Sequence, residues 1–327
     1  MSGQTAGTQA PFETTSNVDV TVWDRLRRFA EVWIYAPAQI IREDWRGRVG
    51  VAIITMFVLM GTVGVAVVDE PSYAQGDRNL NVFEDLDYPL GTDGRGVSYF
   101  AMIAYSTPQI LLMVLAGAVF TTAMAAMVGV VSGFLLGTVD RVLMTISDTA
   151  MAIPSLPLII VVASIIEPKN PLLVGIILSI NAWAGLARTV RSQALSIREE
   201  SYVEASRIMD IDLSRIVALD ILPNIMPYVA VNFMRSGRRV IFQAIALYYL
   251  GVLPYSQDNW GTLLNRAFQQ GNIWNWDVSY AFWVPLSAVI LLSLGLILLS
   301  QSLDAVFNPR VRARHVTDAD QPRAETN

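Results

Sequence analysis

Long, nearly uncharged blocks of apolar residues recur along this chain and constrain its fold more than any other feature. A helix needs about 20 mostly apolar residues to cross the hydrocarbon layer of a bilayer. Only 16% of the 327 residues are charged, and the mean hydropathy is +0.44. Six blocks reach or approach the required length: 51–68, 109–135, 145–166, 172–186, 225–250 and 282–303. The sequence therefore predicts an all-α membrane protein with about six transmembrane helices.

The distribution of arginine and lysine sets the expected orientation of these spans. Basic residues accumulate in the loops on the cytoplasmic side of a membrane. Sixteen of the 23 basic residues fall in segments on one side, against four in the loops on the other side. Both termini are therefore predicted to be cytoplasmic. The predicted parts are a tail with an amphipathic interfacial segment (1–48), a first span with its outer loop (49–106), a core membrane domain (107–306) and a cytoplasmic tail (307–327).

A long polar segment, residues 187–222, separates the fourth and fifth blocks, although a short turn would suffice to join two helices. Its pattern predicts two short helices, 196–209 and 213–220. Asp212 is a suitable N-cap for the second helix, and Pro223 suits the first turn of the next span because no N–H is needed there. An exposed helix-turn-helix on the cytoplasmic side indicates a docking surface, and an inert solvated loop is the alternative.

The same segment resembles the EAA loop of ABC importer permeases. Glu204-Ala205-Ser206 stands where the family has E-A-A, Asp210 occupies a glycine position, and Leu222-Pro223 closes the motif, which spans 196–223. Further residues resemble the second-permease type of the dipeptide/oligopeptide/nickel family: Trp183, Ala187-Arg188, Val190-Arg191, Arg198-Glu199, Tyr202-Val203, Leu90-Gly91-Thr92-Asp93, Trp260-Gly261-Thr262 and Asn308-Pro309-Arg310. The resemblance covers residues 89–313.

This sequence departs from the family pattern at two places, and each departure limits what the resemblance implies there. Asp210 replaces a glycine at a turn that favours positive φ, a region that aspartate visits at lower cost than most residues. The outer motif is shortened to Gly91-Thr92-Asp93-Gly94-Arg95-Gly96. The resemblance therefore carries no inference about contact between that loop and a particular binding protein.

The resemblance implies that the polar segment forms a coupling helix, which docks in a groove of a separate ATPase subunit. Glu204 would supply a charged contact there, and Ala205 and Ser206 would permit close backbone approach. The expected partners are a homologous second permease, two ATP-binding subunits, an extracytoplasmic solute-binding protein and membrane lipid, with no nucleic acid. ATP and Mg are expected on the partner ATPase, and no cofactor on this chain.

The lysine content argues independently against an ATP site of the P-loop type. A P-loop, G-x-x-x-x-G-K-[ST], needs a lysine that reaches the phosphates. Lys169 is the only lysine of the chain, and Asn170 follows it. The chain is therefore expected not to be an enzyme, with ATP hydrolysis on another polypeptide. Cysteine is absent and the only histidine, His315, lies in a polar tail, which argues against thiol nucleophiles and most transition-metal sites.

Three arginines lie inside the fifth apolar block. Arg235, Arg238 and Arg239 are spaced i, i+3 and i+4, which places them on one helix face. An arginine that faces lipid near mid-membrane costs about 2.5–3.5 kcal/mol or more, so this face is expected to contact protein or an aqueous pathway. As candidate pathway-lining residues they would favour an anionic group such as a peptide carboxylate. Pairing with an acidic residue, for which Asp148 is a candidate, is one alternative, and a later start of the span that leaves Arg235 at the headgroups is another.

The remaining predictions concern three tryptophans, three aspartates and the charge balance of the chain. Three tryptophans are expected in the outer aromatic belt: Trp260, Trp274 and Trp276. Three aspartates are expected to be interfacial caps or ion-pair partners: Asp140, Asp148 and Asp220. A net charge of −5 with arginine in place of lysine would suit a high-salt cytoplasm, and a GC-rich genome that favours arginine codons would explain it equally well.

The resemblance and the predicted docking loop together indicate the permease subunit of an importer in a prokaryotic plasma membrane, for peptides or a similar small solute. A permease of the same architecture for a nickel chelate or a sugar is the nearest alternative. An ion-coupled secondary carrier would need buried carboxylates along the spans and often shows repeated halves. Neither feature is clear in the sequence, and a carrier or a channel would leave the docking loop without a partner.

Overall fold

The structure is a computed structural model that describes residues 42–209, 211–217, 221–253 and 259–307. These residues form helices and contain no β-strand. The helices, numbered in chain order, are α1 (Trp45–Val67, with a π-helical stretch at Met60–Gly64), α2 (Tyr99–Leu135), α3 (Gly137–Ala152), α4 (Ser155–Ile166), α5 (Pro171–Leu178), α6 (Trp183–Arg198), α7 (Ser201–Ile208), α8 (Leu213–Ile216), α9 (Leu222–Tyr249), α10 (Trp260–Gln269) and α11 (Tyr280–Phe307). The expected cytoplasmic tails and most of the expected amphipathic segment lie outside the described residues.

The third predicted span is two helices rather than one, and the prediction of a continuous helix is wrong. Helices α3 and α4 meet at 88°. Ile153 is extended, with φ −78° and ψ 123°, and Pro154 follows it. A proline clashes with a helical conformation of the residue before it and has no N–H for the helical ladder. Pro154 therefore ends α3 instead of being absorbed as a kink.

The fourth predicted span is also broken. Helices α5 and α6 meet at 66°, across residues 179–182. The N–H groups of Ser179, Ile180 and Ala182 each donate to the carbonyl three residues earlier, in place of the α-helical ladder. The polar pair Ser179 and Asn181 marks this break inside an otherwise apolar block.

Among the residues that the structure describes, three helices are long and apolar enough to cross a membrane, and up to five spans result if each bent pair counts as one. The three are α1, α2 and α11. Helix α9 has 28 residues, but every 18-residue stretch of it contains all three of its arginines, so it does not qualify on composition. Helix α2 begins at Tyr99, ten residues before the predicted start, because Ser98 caps it and Pro108 is accommodated inside it.

Helix α2 lies at the centre of the packing and contacts α5, α6 and α9. Two glycines permit the closest approaches. A Cβ on Gly129 would lie 2.6 Å from the carbonyl oxygen of Ala187 and 2.7 Å from Cβ of Val190, both on α6. A Cβ on Gly175 of α5 would overlap the carbonyl oxygen of Met113 on α2. These helices therefore pack backbone against backbone, as is common where small residues line helix contacts in membranes.

The loop between α1 and α2 is folded back onto α11. The Tyr280 hydroxyl donates to the carbonyl oxygen of Thr92 at 2.8 Å, and the Leu80 N–H donates to the Thr92 hydroxyl at 3.1 Å. Gly91 has a φ of 77°, which glycine adopts without the steric cost of a side chain. The shortened glycine-rich motif thus holds the loop against the last helix.

The aromatic-belt prediction is wrong for Trp260. That residue begins α10, a helix between the fifth and sixth apolar blocks, and its ring is fully buried against Phe57 at a centroid distance of 5.5 Å. Asn259 caps α10 by accepting from the N–H groups of Gly261 and Thr262. Trp274 and Trp276 are exposed, at 82% and 89%, which is compatible with a belt position.

The Gly129 contact leads to a stability prediction. We expect Gly129→Ala to lower the thermal unfolding midpoint of the purified protein in detergent, because the added methyl meets backbone that cannot move aside, and overpacking costs about 1–3 kcal/mol. Gly64→Ala is the matched control, since the nearest atom to its added Cβ is 3.6 Å away. Equal midpoints for the two variants would contradict the α2–α6 contact.

Candidate functional site

The predicted docking segment forms two short helices, with one boundary different from the prediction. Helix α6 continues to Arg198, and α7 begins at Ser201, so residues 196–198 belong to the preceding helix. They extend the apolar stripe of α6, because Ile197 joins Val190 and Ala194 in one buried cluster. Asp210 and residues 218–220 lie outside the described residues, so the glycine position and the predicted end of the second helix have no structural description.

Helix α7 has one buried anchor and one exposed side. Val203 is fully buried, whereas the neighbouring Glu204 and Ala205 are exposed and Ser206 is half-buried. Met209, just after the helix, is 66% exposed and adds apolar surface. The motif residues E-A are thus available for contact while the helix itself is held in place.

The anchor of α7 connects it to three long helices. Val203 belongs to a buried cluster with Phe134 of α2, Ala194 of α6 and Ile225 of α9. Ile216 of α8 is buried in the same cluster. The side-chain amide of Asn224 on α9 also donates to the Tyr202 hydroxyl at 3.2 Å. Helix α7 therefore shares one buried cluster with α2, α6 and α9.

The motif ending at Leu222-Pro223 coincides with the start of α9. Leu222 is the first residue of that helix, and Pro223 occupies its first turn. The predicted position of Pro223 is confirmed, because a proline there removes no helical hydrogen bond.

An ion pair near the docking helices joins three helices. Arg191 of α6 donates from Nε and Nη2 to the two carboxylate oxygens of Asp140 on α3, both at 2.6 Å. The Ser132 hydroxyl of α2 donates to the same carboxylate. The side chains are only 29% (Arg191) and 15% (Asp140) exposed. Asp140 is thus an ion-pair partner, as predicted, and its bidentate contact with Arg191 holds the start of α3 against α6.

The three arginines of α9 do not behave alike: the alternative of an acidic partner holds for Arg235, but the candidate partner Asp148 is wrong. Arg235 pairs with Asp304 of α11. Asp148 pairs instead with Arg188 of α6, because the α3–α6 contact brings those two together. Arg238 and Arg239 are exposed and make no ion pair with any other residue that the structure describes.

A polar cavity of about 600 Å³ lies where the two helix breaks meet α9. The α3–α4 break supplies residues 153–155 and the α5–α6 break supplies Asn181, whose amide donates to the Ile153 carbonyl oxygen at 3.2 Å. Helix α9 supplies Arg235 and Arg239. Arg238 faces a separate, smaller groove of about 200 Å³ between α9 and α11, which Arg235 also borders. The predicted arginine face is thus divided between two spaces.

Comparison with known proteins decides the family. Residues 125–313, more than half of the chain, match the model of the binding-protein-dependent transport system inner membrane component. The chain belongs to this family. The match includes the docking helices, both sides of the α5–α6 break and the arginines of α9.

Similar curated proteins are permease subunits of peptide transport systems. The oligopeptide transport system permease protein OppC of Bacillus subtilis is 26% identical over 278 residues, which cover 83% of this permease and 88% of that protein. The dipeptide transport system permease protein DppC of Bacillus subtilis is 24% identical over 275 residues, with coverages of 83% and 84%. The oligopeptide transport system permease protein AmiD of Streptococcus pneumoniae is 28% identical over 230 residues, with coverages of 69% and 72%. The resemblance found in the sequence is confirmed.

Sequence reasoning missed the cavity because it treated each apolar block as one helix. Asn181 and Thr121, which line the cavity with the arginines, carry no motif. The signals that were present are Pro154 and the polar pair Ser179 and Asn181, which interrupt two apolar blocks.

The Asp140–Arg191 pair leads to a second stability prediction. We expect Asp140→Ala to destabilise the permease by about 1–3 kcal/mol, because it leaves a largely buried guanidinium and a buried serine hydroxyl without their acceptor. Asp148→Ala is the matched control; its pair with Arg188 is half exposed, and such pairs contribute about 0–1 kcal/mol. Thermal unfolding in detergent measures both, and a larger loss for Asp148→Ala would contradict the assignment.

Proposed function

We propose that this chain is the permease subunit of an ABC importer for peptides. The single observation that carries the proposal is the two-sided α7 helix, which exposes Glu204 and Ala205 while Val203 anchors it among the membrane helices. Such a helix can receive a push from an outside partner and pass it to the membrane domain. The peptide cargo follows the names of the similar proteins, OppC, DppC and AmiD.

The proposed complex contains a second permease, two ATP-binding subunits and an extracytoplasmic solute-binding protein. ATP and Mg bind the ATP-binding subunits, and this chain hydrolyses nothing. The docking contact uses Glu204, Ala205 and Ser206, with Asp210 at the following turn. Phe242 of α9, an exposed aromatic residue, supports a contact with the second permease.

The proposed topology has six spans with both termini in the cytoplasm. Each bent pair, α3 with α4 and α5 with α6, counts as one span, and α9 is the fifth span despite its arginines. Backbone at a helix break is tolerated at membrane depth only where protein or water covers it. The cavity between the breaks and α9 supplies such an environment, and we assign it to this chain's half of the translocation pathway.

Docking through α7 can be tested by recovery of the ATPase. We expect the double variant Glu204→Arg, Ala205→Trp to lose co-purification with the ATP-binding subunits, because a reversed charge and a large side chain replace a contact made at close range. The measurement is the amount of ATP-binding subunit that co-purifies with the tagged permease from detergent extracts.

Asp87→Arg is the control for that experiment. It makes the same reversal of charge at an exposed site in the loop on the other side of the membrane. Full recovery of the ATPase with the double variant would refute docking through α7. ATP-dependent uptake of a labelled peptide by the reconstituted complex tests the cargo, and uptake of a nickel chelate or a sugar in its place would identify the alternative permease.

The absence of cysteine allows a direct test of orientation. We expect Asp87→Cys to react with a membrane-impermeant maleimide in intact cells, and Ser196→Cys to react only after permeabilisation. Both positions are exposed, so the difference reports the side of the membrane rather than burial. Labelling of Ser196→Cys in intact cells would overturn the proposed topology.

A further inference from the structure

The polar cavity carries one positive charge, that of Arg239, which no described acidic residue compensates. Arg235 and Arg239 line it, and none of the described residues that line it is an aspartate or a glutamate. The nearby carboxylates are engaged elsewhere, Asp148 with Arg188 and Asp304 with Arg235. The cavity therefore has a net attraction for an anion.

Arg239 is the arginine whose charge is uncompensated inside the cavity. Arg235 shares its charge with Asp304, and Arg238 faces the α9–α11 groove. Arg239 lies about 25 Å along α9 from Leu222, at 1.5 Å per residue, and so lies well inside the length of a span. An unpaired arginine at such a depth is expensive and marks a functional site.

A second cavity-lining residue has an unused hydrogen-bonding group. Thr121 of α2 is 1% exposed, and its hydroxyl has no hydrogen-bond partner among the residues that the structure describes. A buried hydroxyl without a partner costs free energy, which a bound ligand can recover. Thr121 and Arg239 approach the same space from different helices, so one ligand can satisfy both.

We propose that this cavity binds the carboxylate at the C-terminus of a transported peptide, with Arg239 as its cationic donor and Thr121 as an additional hydroxyl donor. The inference rests on the proposed function as a peptide permease. The guanidinium is suited to this role because its planar donors match a carboxylate. A volume of about 600 Å³ lies in the usual range of small-molecule sites and accommodates the end of a short peptide. Asn181 keeps the two helix breaks joined at the edge of the site.

The test compares a free carboxylate with its neutral amide. The complete transporter, reconstituted in liposomes with its binding protein, is supplied with labelled trialanine or trialanine amide, and the ratio of initial uptake rates (acid to amide) is measured. We expect Arg239→Gln to lower this ratio about tenfold relative to wild type, since a hydrogen bond to a charged group is worth about that factor or more. The binding protein is the same in every sample. Its own preference for the acid or the amide therefore cancels when the ratio for a variant is divided by the ratio for the wild type.

Arg238→Gln is the matched control, because it removes the same charge one residue away on the α9–α11 side. We expect it to leave the acid-to-amide ratio at the wild-type value. An unchanged ratio in Arg239→Gln, or an equal fall in Arg238→Gln, overturns the carboxylate site. If uptake by Arg239→Gln is too low to measure, the acid-to-amide ratio is measured for Arg239→Lys and Thr121→Val instead. Wild-type ratios in both of these variants also overturn the carboxylate site.

The outcomes separate the two proposals. If the wild-type complex imports neither trialanine nor its amide while its ATPase is active, the peptide function fails. If it imports trialanine and the ratio does not depend on Arg239, the peptide function stands and the carboxylate site fails.

Discussion

The close contact of α2 with its neighbours is the interaction on which the other features depend. Hydrophobic burial cannot distinguish a helix neighbour from a lipid tail, so membrane helices associate through tight packing and hydrogen bonds. Gly129 and Gly175 allow α2 to touch the backbone of α6 and α5 directly. This contact places Thr121 at the cavity and Phe134 at the docking helices on one continuous 37-residue helix.

The helix breaks are stable because α2 and α9 cover them. A break frees backbone groups that lipid cannot satisfy. The Asn181 amide donates to the freed Ile153 carbonyl, and Gln243 of α9 donates to the Ser155 hydroxyl at 3.4 Å. The same polar groups that satisfy the breaks make the cavity hydrophilic. The cavity is therefore polar because two helices end inside the fold, and the arginines of α9 make its charge positive.

The sequence predicted what depends on local pattern and missed what depends on packing between distant segments. The helical membrane class followed from the apolar blocks, and the family followed from the Glu204-Ala205-Ser206 motif with Leu222-Pro223. The partner of Asp148 could not be predicted, because its choice of Arg188 is set by how α3 lies against α6. The position of Trp260 was predicted wrongly for a similar reason. Asn259 caps a helix that begins at Trp260, and the ring of this residue is buried in the protein.

The same geometry explains how a cytoplasmic event can reach the cavity in the proposed importer. Helix α6 begins beside Asn181 at the break and ends at Arg198. Two residues separate its end from the start of α7. Helix α6 therefore connects the cavity to α7 over a length of about 24 Å. Its contact with α2 and the Asp140–Arg191 pair keep it from sliding freely. We expect a push on α7 to tilt α6 rather than to slide it, with the bend at residues 179–182 as the hinge. Such a tilt would move Asn181 relative to Arg239 and change the shape of the cavity, which is the kind of two-state element that coupling between distant sites requires.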